Sequence, residues 1–253
     1  MPDLLTLAVL FAAAAWAGAQ NQLAGGGSFI TLPALMLTGM DARTANITST
    51  VALFPGQVTG GWMGRKLAGG TESLSLKALI AISLVGGALG AGLLLLTPSR
   101  VFASLVPWLV LFATAAYAWG SFGRRPKSEA GGQALSTPLA GAIQFCIAIY
   151  GGYFGGGIGF LMLAALALSG AAVRAAGATK NLLAGAMNCT AVLIFLFSGE
   201  VRWLEAAVAC AGAVAGSVYG ARLLHRIKDE TLRAVVIVIG IALTVGLFVR
   251  AYG

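Results

Sequence analysis

Lys180 is the residue with the most distinctive chemistry in this sequence. It lies six residues beyond Arg174 in a long apolar run, about 9 Å deeper along an upright helix. An unpaired lysine at the centre of a membrane helix costs about 3 kcal/mol. No acid is near it in sequence, so a bound anion is a fitting counter-ion; the competing role is to snorkel back to the cytosolic interface. Two glycine runs, Gly25-Gly26-Gly27 and Gly155-Gly156-Gly157, each precede a short apolar segment, with polar residues beside them. Gln20, Asn21, Gln22 and Ser28 surround the first, and Tyr150 and Tyr153 flank the second. Downstream stand Asn46, Thr48, Ser49, Thr50, Gln57 and Thr59 after the first run, and Thr179, Lys180, Asn181, Asn188 and Thr190 after the second. Carboxamides, hydroxyls and phenols donate hydrogen bonds without carrying negative charge. A helix that starts directly after a glycine run adds its unpaired N–H groups and the positive end of its dipole. The chemistry this set can do is anion binding. The expected substrate-binding residues are Gln22, Gly25, Gly26, Gly27, Ser28, Asn46, Ser49, Gln57, Tyr153, Gly155, Gly156, Gly157, Lys180 and Asn188.

Other chemistries are poorly supplied. The acids are Asp3, Asp41, Glu72, Glu129, Glu200, Glu205, Asp229 and Glu230, and each falls at or near a predicted helix end. A sodium or proton site in a transporter usually needs an intramembrane carboxylate, so cation transport is disfavoured. The single His225 sits in a basic loop, which argues against a histidine proton relay. Cys146, Cys189 and Cys210 lie in apolar stretches without metal spacing and read as packing residues. The run Gly155-x-Gly157-x-Gly159 follows no strand and has no acid about twenty residues on, so it is not a nucleotide fingerprint. An enzyme would need a nucleophile with a base, or a metal cluster, and neither appears. No catalytic residue, metal site or cofactor is expected.

The elements that must hold these donors follow from composition. The chain has 253 residues, 58% hydrophobic and 9% charged, against about 25% charged in an ordinary soluble domain. A soluble globule is excluded, and the expected fold is an all-α polytopic membrane protein of about eight to ten membrane segments. Apolar segments run over 4–23, 28–40, 45–64, 74–96, 101–120, 138–153, 158–171, 177–198, 202–221 and 231–250. Segments 28–40 and 158–171 reach only about 20 Å of a ~30 Å hydrocarbon core, so they read as half-helices entered by a glycine reversal. The N-terminal run lacks the basic start of a cleaved signal peptide and reads as a retained helix. Arg43 and Arg174 follow the half-helices and are expected to serve their C-terminal dipole ends. Gly86 and Gly90, and Gly212, Gly216 and Gly220, have the spacing of close helix contacts.

A shift of 131 positions superposes Gly26 on Gly157, Phe29 on Phe160, Gly39 on Gly170, Arg43 on Arg174 and Thr48 on Thr179. The chain therefore reads as a duplication: a first membrane repeat at 1–120, a cytoplasmic Gly, Ser and Arg-rich linker at 121–136, and a second membrane repeat at 137–253. With every segment counted, 12 of the 16 Lys and Arg fall on one side and 4 on the other. The positive-inside rule places that richer side in the cytosol and both termini outside. An odd number of segments per repeat turns the second copy upside down, and the two glycine tips would meet near the midplane. The same cytoplasmic excess accounts for most of the net charge of +8, so no nucleic-acid partner is implied.

With these residues the chain resembles the TauE/SafE family of membrane transporters, associated with export of sulfite and organosulfonates. The resemblance is carried by Gly25-Gly26-Gly27, Pro33, Gly39 and Ala45-Asn46-Ile47-Thr48-Ser49 in the first half. In the second half it is carried by Gly155-Gly156-Gly157, Gly170, Ala176, Thr179-Lys180, Asn188, Ser198-Gly199 before Trp203, and Gly216 to Arg222. It covers essentially the whole chain. One departure is Ala164, where a proline matching Pro33 is expected, which makes the half-sites unequal. The resemblance implies a sulfur-containing or similar small anion. The expectation is a secondary transporter moving sulfite, an organosulfonate or a related sulfur oxoanion across the bacterial inner membrane by alternating access. A channel-like facilitator, a transporter of small carboxylates, an intramembrane enzyme and a scaffold are the alternatives. Expected partners are the small anionic substrate and the lipid bilayer, with a homo-oligomer left open.

Overall fold

The computed structural model describes residues 2–23, 26–122, 135–171, 173–220 and 229–252, and among them the chain is helical without a strand. The helices are α1 (Leu4–Leu23), α2 (Ser28–Met36), α3 (Ala42–Gly64), α4 (Leu76–Leu96) and α5 (Ser99–Phe122). They continue as α6 (Thr137–Tyr153), α7 (Ile158–Leu168), α8 (Val173–Leu196), α9 (Trp203–Ala215) and α10 (Asp229–Tyr252). A π-helical turn over Gly216–Gly220 extends α9. Four described helices are long and apolar enough to cross a membrane: Leu4–Asn21, Leu76–Leu96, Ser99–Trp119 and Ala175–Leu196. Of the expected linker at 121–136, residues 123–134 lie outside the described residues.

The half-helices are shorter than their apolar runs suggest. α2 has 9 residues and α7 has 11, about 14 and 16 Å at 1.5 Å per residue. Both stop before a glycine in the left-handed region, Gly39 (φ 92°) and Gly170 (φ 83°), and both follow one, Gly26 (φ 83°) and Gly157 (φ 74°). Such a φ is strained for any residue with a Cβ. These are the same two pairs that the 131-residue shift superposes. Each half-helix is buried in its own apolar cluster, α2 through Phe29, Leu32 and Leu35, α7 through Ile158, Met162 and Leu166.

The packing partners are exchanged between halves. α1 packs on α9 as α6 packs on α4, α3 packs on α9 as α8 packs on α4, and α5 packs on α10. Glycines set these contacts. A Cβ on Gly86 or Gly90 of α4 would fall on Ala148 or the carbonyl oxygen of Ile149 on α6; one on Gly212 or Gly216 of α9 would fall on the carbonyl oxygens of Phe11 or Ala15 on α1. α3 and α8 run antiparallel at the centre, with Gly64 against Ala178, Gly61 against Asn181 and Gln57 bonded to Asn188.

α3 starts on a side-chain cap. Asp41 is extended (φ −67°, ψ 160°), and its carboxylate accepts from the N–H groups of Arg43 at 3.0 Å and Thr44 at 3.2 Å. Asp41→Ala leaves both donors unpaired and is expected to cost about 1 kcal/mol. A thermal denaturation series in detergent, with Asp41→Asn as the cap-preserving control, checks it.

Candidate functional site

The two glycine tips meet. The position of a Cβ on Gly156, in the second tip, lies 3.1 Å from the ring of Phe29 on α2. Beside this junction is a cavity of roughly 30 Å³ lined by Asn21, Gly26, Ser28, Gln57, Gly155, Ile158, Gly159, Lys180, Asn181 and Ala184. A water needs about 10–15 Å³ on the same measure, so the space suits a compact polar group.

The lining is a set of donors, and the local hydrogen bonds explain why. The Asn21 carbonyl oxygen accepts from the N–H of Gly27 at 2.7 Å, so its amide NH₂ is the part left for the cavity. The Gln57 carbonyl oxygen accepts from Asn188 Nδ2 at 2.6 Å, which leaves the Gln57 NH₂ in the same way. At the start of α7 the first backbone bond runs from Phe160 N–H to Gly157 O at 3.1 Å. Among the described residues the N–H groups of Gly157, Ile158 and Gly159 have no protein acceptor. They are the free donors of a helix N-terminus, where the dipole favours negative charge. Lys180 is 3% exposed, and no described acid pairs with it. The described ion pairs, Arg43 with Glu200 and Arg202 with Glu205, join other residues. No acid is among the described residues that line the cavity.

Of the residues expected from sequence, Gly26, Ser28, Gln57, Gly155 and Lys180 line this cavity. Asn188 sits behind it as the partner of Gln57. The others take supporting positions. Gly27 caps α2 and donates to Asn21. Gly156 accepts from the Tyr150 hydroxyl at 2.9 Å, and Gly157 supplies the left-handed turn into α7. Ser49 is 2.5 Å from Thr31 Oγ1, a hydroxyl pair that ties α3 to α2. Asn46 donates to the Tyr153 carbonyl at 3.1 Å, and the Tyr153 hydroxyl reaches Thr97 Oγ1 at 3.3 Å. Gly25 lies outside the described residues, as does the side chain of Gln22. Asn21 and Asn181 stand in the cavity, each the sequence neighbour of an expected residue. Thr50 and Thr59 bond back to their own helix, at Asn46 O and Pro55 O.

Arg43 does not serve the end of α2, contrary to expectation. Its guanidinium donates to Thr97 O at 2.7 Å and Leu95 O at 3.4 Å, at the C-terminal end of α4, and pairs with Glu200. At the end of α2 the carbonyls of Pro33, Leu35 and Met36 are already taken, by the N–H groups of Leu37, Thr38 and Gly39 and by the Thr38 hydroxyl. The side chain of Arg174 lies outside the described residues. Thr48 and Thr179 play matching parts: Thr48 Oγ1 accepts from Arg202 N, and Thr179 Oγ1 both accepts from Gly69 N and donates to Gly69 O. Each threonine fastens the loop that follows the other half's third helix.

The glycine turn is testable apart from the lysine. Gly157→Leu forces a Cβ into a left-handed φ, with 3.0 Å to the Ala113 Cβ. It is expected to lower anion affinity at least tenfold while the protein still inserts, as checked by titration of purified protein that elutes as a single species. Parental affinity would show that the α7 N-terminus takes no part.

A family model described as sulfite exporter TauE/SafE matches residues 10–247. The chain is 28% identical to a probable membrane transporter protein YfcA of Escherichia coli K12, over 98% of this chain and 92% of that protein. It is 31% identical to the probable membrane transporter protein ORF9 of a Sinorhizobium species, over 95% and 92%. A probable membrane transporter protein of Haemophilus influenzae is 28% identical over 94% and 92%. No solved structure matches the chain.

Proposed function

Since the chain belongs to the sulfite exporter TauE/SafE family of membrane transporters, we propose that it is a secondary transporter that carries a small anion, sulfite or a related sulfur oxoanion or organosulfonate, by alternating access. The observation that carries this reading is the donor-lined cavity at the meeting of the two tips. Lys180, the NH₂ groups of Asn21 and Gln57, the Ser28 hydroxyl and the α7 N-terminus all offer hydrogen to one compact space without a carboxylate among the lining residues. An oxoanion has several acceptor oxygens and a charge to neutralise, and it complements that set. The exchanged packing of the halves and their paired left-handed glycines support an inverted duplication, the architecture through which many transporters alternate access. The site supplies binding and charge neutralisation, which is what a carrier of an anion requires.

Uptake into proteoliposomes tests this directly. Saturable uptake of labelled sulfite is expected, with sulfate, thiosulfate, sulfonates and carboxylates as competitors; the sulfur oxoanions should compete best. Dominant competition by carboxylates would overturn the substrate class, and absence of protein-dependent flux would overturn transport.

The same reading places the protein in the bacterial inner membrane with both termini outside and the 121–136 segment in the cytosol. A cysteine introduced at Ser128 is expected to resist an impermeant thiol reagent added to intact cells and to react after the membrane is opened. Labelling from outside would reverse the topology.

A further inference from the structure

The donor-lined cavity raises the question of what balances its single charge when no anion is present. Lys180 lies in the span Ala175–Leu196 and is 3% exposed. The groups that face the same cavity from α1, α2, α3 and α7 are neutral: Asn21, Ser28, Gln57, Ile158 and Gly159. The titratable groups on the surrounding helices are engaged or distant. Tyr150 of α6 donates to Gly156 O, and Tyr153 to Thr97. Arg43 of α3 is held by Glu200, Lys77 opens α4 in an exposed position, and Cys146 of α6 and Cys189 of α8 do not line the cavity. The side chain of Arg174, one turn and a half before Lys180, lies outside the described residues. An ammonium here therefore has a counter-ion when the anion is bound and none among the described residues when the site is empty.

A carrier that does not exchange one anion for another returns across the membrane empty, and an uncompensated charge at mid-helix costs about 3 kcal/mol. We propose that the transported anion is accompanied by a proton carried on the Lys180 nitrogen, so that each cycle moves one anion and one proton together. The inference rests on the transport reading above. On the entry side the amine takes a proton from water as a monovalent anion, hydrogensulfite or a sulfonate, binds, giving an ammonium–anion pair with no net charge. On the exit side the anion leaves, the proton passes to water, and the neutral amine returns. One N–H bond forms and the same bond breaks, nothing is oxidised or reduced, and no second cation is required. The carboxylates that usually carry coupling protons are absent from the described residues of the cavity lining, and the lysine takes their place.

The test uses the full chain in proteoliposomes loaded with a pH-sensitive dye, with sulfite and methanesulfonate as probes. Protein-free vesicles set the passive leak of the acid forms. An inward gradient of methanesulfonate is expected to acidify the interior by about one proton per anion, at a rate that an imposed membrane potential does not change, while sulfite, which itself titrates near neutral pH, reports flux alone. Lys180→Arg keeps a fixed charge, and the proton taken up per anion bound, measured by titration in two buffers of different ionisation enthalpy, is expected to fall from about one in the parent to none. Anion flux without acidification, at a rate set by the imposed potential, would overturn proton coupling and leave transport standing. Coupling undiminished in Lys180→Arg would overturn the assignment to this side chain. If neither probe shows protein-dependent flux, the transport reading fails and the coupling with it.

Discussion

Lys180→Met weakens anion binding by about 1–3 kcal/mol, roughly 5- to 150-fold in Kd, because it removes one charged hydrogen bond and leaves the rest of the donor set intact. Methionine keeps the apolar length of the side chain, so the helix contacts around Leu183 and Met187 are undisturbed. The magnitude is bounded on both sides. A buried charged donor facing an oxoanion contributes more than a neutral hydrogen bond, yet removing it also relieves the cost of housing a charge in the membrane. The comparison that isolates position is Arg174→Met, nearer the helix start, where a smaller loss is expected. Isothermal titration of both variants with sulfite measures the difference. Unchanged affinity and transport in Lys180→Met would mean that neutral donors and the α7 N-terminus hold the anion without it.

The largest effect on stability is expected at Gly90 and Gly216. At each, a side chain would occupy the space of a backbone carbonyl oxygen on the neighbouring helix, Ile149 for Gly90 and Ala15 for Gly216. The neighbour cannot give by a rotamer change, since what it presents is main chain. Leucine at either position must separate two helices along their contact, losing dispersion over several residues. A destabilisation of about 3 kcal/mol or more is expected, at the upper end of overpacking. A Cβ at Gly92, on the same helix α4, would meet nothing within 4 Å, so Gly92→Leu serves as the control and should leave thermal stability near the parent. If Gly90→Leu and Gly92→Leu melt alike, close approach is not what the glycine provides.

The helices and the half-helices were legible in the sequence because their signals are additive: runs of apolar residues, and glycine runs before segments too short to span. Side-chain direction was less legible for a physical reason. Asn46, Thr48, Ser49 and Thr50 are nearly consecutive, and at about 100° per residue they cover most of the circumference of α3. Polarity therefore could not say which of them faces substrate. In the structure Asn46 turns to the Tyr153 carbonyl, Ser49 to Thr31, and Thr50 to its own helix. The same ambiguity separates Lys180 alone from Lys180 with Asn181, which lines the cavity beside it. Arg43 illustrates a different limit: the sequence placed it near the end of α2, while its partners, Leu95, Thr97 and Glu200, come from 52 to 157 residues away.

The hydrogen bond between Gln57 and Asn188 joins residues 131 apart, the spacing by which the halves superpose. For a chain made of two copies, a contact between equivalent positions lies on the axis that relates them. Carboxamides suit that place, since each carries a donor and an acceptor and can bond to its own kind. Lys180 is the opposite case, for its equivalent is Ser49. Two identical subunits meeting about this axis would bring either two lysines to the centre, which repel, or none. Only after fusion into one polypeptide can one half gain a cation that the other lacks. Under the proposed inverted duplication, covalent linkage of the two halves lets Lys180 stand opposite a serine, a combination that a symmetric pair of separate chains could not make.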